Sequence, residues 1–412
     1  MFELQPDLGG TWLTSTYPGC QSDAPIHLYS YSFAPNYNFS KKFAPQSEIL
    51  AYLQATAKTY NIYDKIRFRT RVSNVRWDES HNKWILHWIN IDTEEEGIYE
   101  ADVVFHATGV LRVPNIPKEF DAFKGDKWHS AKWNHSVDLT GKRVGVVDTT
   151  ILLYQKMAWY SAFHRVVVYF VTWFYRFQQF PFNSELREKL TPKYELASRR
   201  IVLSDHFFST LKMPHTSLHQ SPITSINGNT IETSDGTKRE LDVLILATGF
   251  DSSSNFPDGY WIGRGGIEIK KHWNGCPTVY CGIWVPHAPN FFLIWGPNSS
   301  TAHHAMTRVF EIQVMHAIRA ISYMMEQNLV SMEIKQEVAE EFTNTIDQRM
   351  ERSIFTTKMM PNLNFLLLAN LSVQTMTIGF VIRAVLGTQG QEESAWQGSN
   401  QKRKSNNQFS YH

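Results

Sequence analysis

The chain has 412 residues, too many for one ordinary domain, and implies two or three. Forty Lys and Arg against 39 Asp and Glu leave a formal charge of +1, which excludes a large basic face for nucleic acid. Hydrophobic residues at 42% exclude a disordered chain, and three cysteines without a CxxC pair exclude a disulfide framework or a cysteine-built metal centre. The expected compartment is therefore reducing. The opening MFELQPDLGG has no basic stretch followed by an apolar one, so no secretory leader is expected and the expected location is the cytoplasm. Aromatic residues make up 14% of the chain, which fits large buried pockets.

Phe2-Glu3-Leu4 reads as the end of a strand, and Gly9-Gly10 as a turn needing positive φ or close backbone approach. Ser47 precedes Ile49, Leu50, Leu53 and Ala57 on one helical face and is the expected N-cap. Ile66, Phe68, Thr70 and Val72 alternate as a strand. Trp84, Leu86 and Trp88, then Val103 to Ala107, read as further strands, with Asp92 to Gly97 as the hairpin loop between them. Val144 to Val147 is the short apolar run of a buried parallel strand. A helix is expected over 151–165, a strand over 166–170 and loop over 175–200. Ile223 to Ile231 and Val243 to Leu246 are strands around an Asp235-Gly236 turn. Met306, Val309, Phe310, Val314, Ala317, Ile318 and Ile321 share one helix face, and 333–350 is a charged amphipathic helix. Leu363 to Leu386 is long enough to cross a bilayer, but Asn364, Asn370, Gln374 and Arg383 favour a buried segment over membrane contact. Residues 387–412 are polar and expected to be disordered.

Two strands end in the same tripeptide, Ala107-Thr108-Gly109 and Ala247-Thr248-Gly249. A small-small-Gly strand end lets backbone approach a flat cofactor closely. Gly9-Gly10-Thr11-Trp12, followed by Tyr17-Pro18-Gly19 and Asp23, makes a longer pattern. Phe123-x-Gly125-xxx-His129-xxx-Trp133 makes another. Together these resemble the fingerprints of type I Baeyer–Villiger monooxygenases, a branch of the flavin-containing monooxygenases, from about Glu3 to Thr357.

The resemblance implies FAD and NADPH as cofactors, with O2 and a small-molecule ketone as substrates. NADPH reduces the flavin, O2 reacts with it, and one oxygen enters beside the ketone carbonyl to give an ester or lactone. A cation must stabilise the negative charge that develops. The matching pair is Arg199-Arg200, with Arg200 as the catalytic cation and Arg199 beside the NADPH 2′-phosphate. Asp23 is the implied carboxylate that fixes the Arg200 fork, within the cofactor site. Glu3 matches the acid that holds the FAD ribose. Gly10, Thr11, Trp12, Thr108, Gly109, Thr248, Gly249 and Asn298 are the further implied cofactor contacts. His129 couples a linker to cofactor movement, Trp133 is a packing anchor, and Phe123 and Gly125 complete the fingerprint. Gly296-Pro297-Asn298 resembles the loop near the flavin ring, with its helix following at about Met306.

The pattern also breaks. The family opens with a strand, a GxGxxG turn, a helix and a second strand ending in an acid. Glu3 matches that acid, so the expected FAD domain lacks its first strand, turn and helix. After Gly141 to Val147, the family's glycine positions hold Asp148, Thr150 and Leu153. Asp148 sets a negative charge beside phosphates and Leu153 crowds the helix, so both oppose NADPH. After Thr357 the apolar tail replaces the family's last segment; an incomplete or mis-spliced gene reading is the expected explanation of both ends, with a decayed or repurposed protein as the alternative.

The expected fold is α/β, a two-dinucleotide-binding-domain flavoprotein. A Rossmann-like FAD domain spans 1–135 and 245–360, with an NADPH-binding-like unit inserted at 136–244 and a divergent tail at 361–412. The expected function is Baeyer–Villiger oxidation of a ketone, with a polyketide or other secondary metabolite as a fitting substrate. Two alternatives stay open: a flavin N- or S-hydroxylase, and a non-catalytic remnant that binds no flavin. No metal and no nucleic acid are expected.

Overall fold

Among the described residues of the computed structural model, short strands pair into five small sheets. It describes residues 1–148, 183–190, 207–251, 256–299, 305–351 and 396–398. In the first half lie helices α1 (Thr11–Thr14) and α2 (Gln46–Thr59) and strands β1 (Thr70–Asp78), β2 (Lys83–Asn90), β3 (Glu96–Ala101), β4 (Val104–His106), β5 (Asp126–His129) and β6 (Val144–Asp148). Helices α3 (Ser184–Lys189) and α4 (Phe207–Leu211) precede strands β7 (Ile223–Asn227), β8 (Thr230–Thr233), β9 (Lys238–Glu240) and β10 (Val243–Ala247). Then follow β11 (Trp261–Ile262), α5 (Ile269–Trp273), β12 (Phe291–Leu293), α6 (Met306–Glu326), β13 (Met332–Ile334), α7 (Gln336–Glu351) and β14 (Trp396–Gly398).

β1, β2 and β3 form an antiparallel meander, with β11 added parallel to β1. β5, β10 and β6 are all parallel, with β10 in the centre. β7, β8 and β9 form a second antiparallel meander, β12 pairs parallel with β4, and β13 pairs antiparallel with β14. Parallel and antiparallel pairing in one chain with intervening helices is an α/β architecture.

The main core lies between the first meander and β4–β12. Trp84, Trp261 and Phe291 are fully buried there, with Trp261 and Phe291 stacked at 4.3 Å. The Trp84 indole N–H donates to the Pro289 carbonyl at 2.6 Å, so its polar edge is satisfied. Each such side chain contributes roughly 2–3 kcal/mol of apolar burial. Trp284 and Phe292 fill a second cluster against α6 and α7. These aromatic residues build the core; aromatic content alone does not mark a pocket.

One buried amide ties the core strands together. Asn290 Nδ2 donates to the Asp102 carbonyl at 3.0 Å and the Val330 carbonyl at 3.1 Å, while its Oδ1 accepts from Met332 N at 2.9 Å. Asn290 sits at φ 54°, a left-handed conformation that Asn tolerates.

Several expectations are corrected. Helix α2 starts at Gln46 behind Pro45, so Ser47 lies inside the first turn and no side chain caps it. The strand expected from Ile66 begins only at Thr70, because Arg69 turns left-handed at φ 55°. The hairpin partner of β2 is β3, not the Val103 segment. Gly97 faces Trp88 there, where a Cβ would stand 2.4 Å from the indole. Among the described residues β6 pairs only with β10, and Val146 on it is 63% exposed where a buried strand was expected. The strand expected over Ile223 to Ile231 is broken by Gly228 at φ 59°, and the Asp235-Gly236 turn joins β8 to β9. A short helix at Ser184–Lys189 falls in the segment expected as loop. Glu333 belongs to β13, ahead of the charged helix. The expected elements at 151–165 and 166–170 and the apolar stretch 363–386 lie outside the described residues. Among the described residues no helix is long and apolar enough to cross a membrane.

Candidate active site

The parallel register sets Leu246 of β10 beside His129 of β5. The fingerprint strand therefore runs alongside the strand that ends in the second Ala-Thr-Gly. Gly125 permits this approach, since a Cβ there would stand 2.7 Å from the Asp242 carbonyl oxygen. Phe123 is buried with Phe120, Ile231, Leu244 and Leu246. Trp133 packs edge-on to Trp128 at 5.6 Å, beside Val243 and Ile245.

The segments that follow the two Ala-Thr-Gly turns pair with each other. Asn115 N donates to the Gly249 carbonyl at 2.9 Å, and Asp251 N to the Val113 carbonyl at 2.8 Å. The Thr248 hydroxyl donates to the Asn115 carbonyl. The Gly249 carbonyl also meets His129 Nε2 at 3.0 Å. A carbonyl only accepts, so Nε2 carries the proton; Nδ1 then accepts from Ala131 N at 3.1 Å. Both ring nitrogens are satisfied in the neutral form, and burial pushes the His129 pKa down. One carbonyl thus joins the first linker, the second linker and the fingerprint.

Three glycines around this junction and the first turn leave open space. Gly10, Gly109 and Gly249 have φ of 51°, 70° and 78°, and a Cβ on any of them would meet nothing within 4 Å. Thr11 opens α1 on the exposed side, and Thr108 is exposed. The Trp12 indole N–H donates to the Tyr29 hydroxyl at 3.0 Å, and the Gln46 side-chain amide donates to the Trp12 carbonyl. Glu3 lies where Phe2 bridges Arg67, its N–H donating to the Arg67 carbonyl at 2.9 Å. Its carboxylate accepts from Gln5 N at 2.8 Å. Asp23 is half-buried near Tyr17, whose phenol is pushed up by burial first and then by Cys20 and Asp23.

A second feature lies after β12. A Cβ on Gly296 would stand 2.4 Å from the Gly282 carbonyl oxygen, and one on Gly282 2.4 Å from Ser299 Cβ. Ser299 Oγ donates to the Gly296 carbonyl at 2.6 Å. Trp295 and Asn298 both sit in the left-handed region, at φ 62° and 63°. Gln313 of α6 accepts the Trp295 N–H on Oε1 at 2.8 Å.

Residues 3–151 match the family model of flavin-binding monooxygenase-like proteins. An uncharacterized monooxygenase of Mycobacterium tuberculosis is 30% identical over 87% of this chain and 83% of its own length. A Baeyer–Villiger monooxygenase of Pseudomonas aeruginosa is 27% identical over 86% of this chain and 78% of its own. The chain belongs to the flavin-binding monooxygenases of Baeyer–Villiger type. A steroid monooxygenase solved with NADP bound shares the fold at a TM-score of 0.79 and 25% identity, over 96% of this chain and 94% of that one.

Within this monooxygenase the described structure brings His129, Asn115, Thr248 and Gly249 together. It sets Glu3, Gly10, Thr11 and Trp12 in and before the first turn, and Asn298, 4% exposed, in the Gly282–Gly296 cradle. Arg199 and Arg200, and with them Thr150 and Leu153, lie outside the described residues. Asp148 ends β6 as an exposed residue. Sequence reasoning missed Gln313, Gly282 and the Val113–Asn115 partner of the second linker. Gln313 carried a signal: it is polar, yet falls four residues from both Val309 and Ala317 on an apolar helix face.

Proposed function

We propose that the monooxygenase binds FAD, is reduced by NADPH, and converts a ketone with O2 into an ester or lactone. The observation that carries this reading is the junction at the Gly249 carbonyl, where both linkers and His129 meet. The residues present fit a flat dinucleotide: open space at Gly10, Gly109 and Gly249 admits close backbone approach. In this reading Glu3, Gly10, Thr11, Trp12, Thr108, Gly109, Thr248, Gly249 and Asn298 hold FAD. FAD, when bound, supplies the electron transfer and oxygen activation that no side chain can.

The chain's own part is to place charge. Arg200 meets the developing negative charge and Asp23 orients its guanidinium. Arg199 faces the NADPH 2′-phosphate, while Asp148 repels the pyrophosphate. Residues 1–135 and 245–360 form the FAD domain around an inserted unit at 136–244. The substrate is a ketone, in the first instance a large flat one such as a polyketide. Turnover confined to small aliphatic ketones overturns that last assignment.

The test is the absorbance spectrum of the purified chain after FAD is added and the excess removed, followed by NADPH consumption with ketones. Stoichiometric flavin and ketone-dependent ester formation, lost in Arg200→Ala with flavin retained, support the proposal. A folded chain that retains no flavin overturns it in favour of a non-catalytic role.

A further inference from the structure

The first turn is fastened on one side and open on another. Gly9 and Gly10 sit at φ 136° and 51°, so an unrestrained segment here has many conformations to choose from. A Cβ on Gly9 would overlap Leu50 Cδ1, so that glycine is pressed against α2. Gly10 and Thr11 are exposed, and a Cβ on Gly10 would meet nothing within 4 Å. A ligand can therefore reach the turn from the Gly10 side.

One carboxylate braces the approach to this turn. Asp7 Oδ1 accepts from Leu8 N at 2.7 Å and from the Tyr63 hydroxyl at 3.0 Å, while its Oδ2 accepts from Gln54 Nε2 at 2.9 Å. Gln54 lies on α2, one helical turn after Leu50, and its Nε2 also donates to the Leu8 carbonyl at 3.5 Å. Both partners only accept, so chemistry fixes which way that amide faces. The flanking chain is tied by other groups: Glu3 N donates to the Arg67 carbonyl at 2.9 Å, Thr70 N to the Glu3 carbonyl at 2.8 Å, and the Gln46 amide to the Trp12 carbonyl. Between those ties, Asp7 joins the segment to α2 and to Tyr63 through hydrogen bonds that its charge strengthens.

We propose that Asp7 is a positioning residue for FAD: braced by Gln54 and Tyr63, its carboxylate fixes the turn in the form that presents Gly10 and Thr11 to the dinucleotide. This rests on the functional reading above, which assigns both residues to FAD. Two successive glycines at positive φ lose much freedom when ordered, and a turn ordered before the ligand arrives removes that loss from the binding step. Asp7 acts through the backbone that follows it, with Gln54 and Tyr63 supporting it from behind.

The experiment titrates FAD into the full chain at pH 8, reading flavin fluorescence, with urea unfolding of the FAD-free chain in parallel. Asp7→Ala removes the brace, and Gln54→Glu turns one carboxylate against another. Each is expected to weaken FAD binding by about tenfold. The paired exchange Asp7→Asn with Gln54→Glu restores the hydrogen bond with donor and acceptor reversed, and is expected to recover most of that affinity. Should Asp7→Ala not fold, Gln54→Glu and its paired exchange still decide. Lower urea midpoints with wild-type FAD affinity overturn the proposal and leave Asp7 a purely structural brace. A loss of affinity that the paired exchange does not recover overturns it too. Wild type that retains no FAD overturns the functional reading as well, so the two failures are distinct.

Discussion

The indole N–H of Trp284 donates to His316 Nε2 at 2.9 Å, and Trp284 is fully buried. His316 must then carry its proton on Nδ1, and protonating Nε2 would set two N–H groups against each other. Burial, aided by Arg319, pushes its pKa down to about 4 from an ordinary value of 6.5. His106 is stacked on Phe256 at 4.9 Å and is likewise lowered by burial to about 4. The unfolded chain takes these protons near pH 6.5, while the folded chain refuses them until about pH 4. The unfolded state binds more protons across that window, so stability falls as pH falls through it. The expected slope is about 1.4 kcal/mol per pH unit per histidine. Urea midpoints at several pH values check it. His316→Asn keeps an acceptor for Trp284 and should flatten the curve; a slope equal to wild type defeats the assignment.

His129→Phe keeps a ring in the linker junction but removes both nitrogens. The Ala131 N–H loses its acceptor and the Gly249 carbonyl keeps only Asn115. The expected cost is about 1–3 kcal/mol. Coupled turnover should fall further than flavin content, because the change loosens one linker from the other. Thermal unfolding and NADPH-to-product stoichiometry measure the two effects separately. Unaltered stoichiometry would mean that the junction serves stability alone.

Asn290→Ala strands three backbone groups at once, at Asp102, Val330 and Met332. The expected loss is ~3–5 kcal/mol, near the total stability of many domains. Asn290→Asp preserves the acceptor for Met332 but turns a carboxylate toward two carbonyls, so it should be at least as harmful. Denaturant titration of both variants reads this. Losses below about 1 kcal/mol would show that β4, β12 and β13 are held by other contacts.

Asp148→Ser removes an exposed carboxylate from the end of β6. A negative charge beside a bound phosphate disfavours it by roughly 0.3–1 kcal/mol. The KM for NADPH should fall about two- to fivefold with kcat little changed. A KM that rises instead would mean that Asp148 contacts the dinucleotide productively.

Gly125→Ala tests why the fingerprint contains glycine. The added Cβ would meet the Asp242 carbonyl at 2.7 Å and the Phe123 ring at 2.9 Å, so β5 must move off β10. About 1–3 kcal/mol of destabilisation is expected in thermal unfolding, and a neutral outcome would show that the sheet edge yields.

The sequence by itself carried the family, the fingerprint and the two Ala-Thr-Gly turns, but not their Val113–Asn115 partner. Phe123, Gly125, His129 and Trp133 stand at fixed spacing on one short segment, and each strand-ending Ala-Thr-Gly is local. Helices α6 and α7 were legible because their apolar periodicity is intrinsic to the segment. Tertiary structure alone decided which groups meet. Asn290 joins residues 102, 330 and 332, and His129 reaches Gly249 across 120 positions of chain. No local pattern encodes a hydrogen bond between segments that far apart, because its partners are chosen by how sheets and helices stack. Local geometry also outweighed propensity. Arg69 and Gly228 interrupt alternating runs with positive φ, and β3 forms from an unpromising GIYEA because β2 offers it an unpaired edge. Gln313 interrupts an apolar stripe on α6. Packing made it the acceptor for the Trp295 N–H, a partner eighteen residues away that no helix periodicity announces.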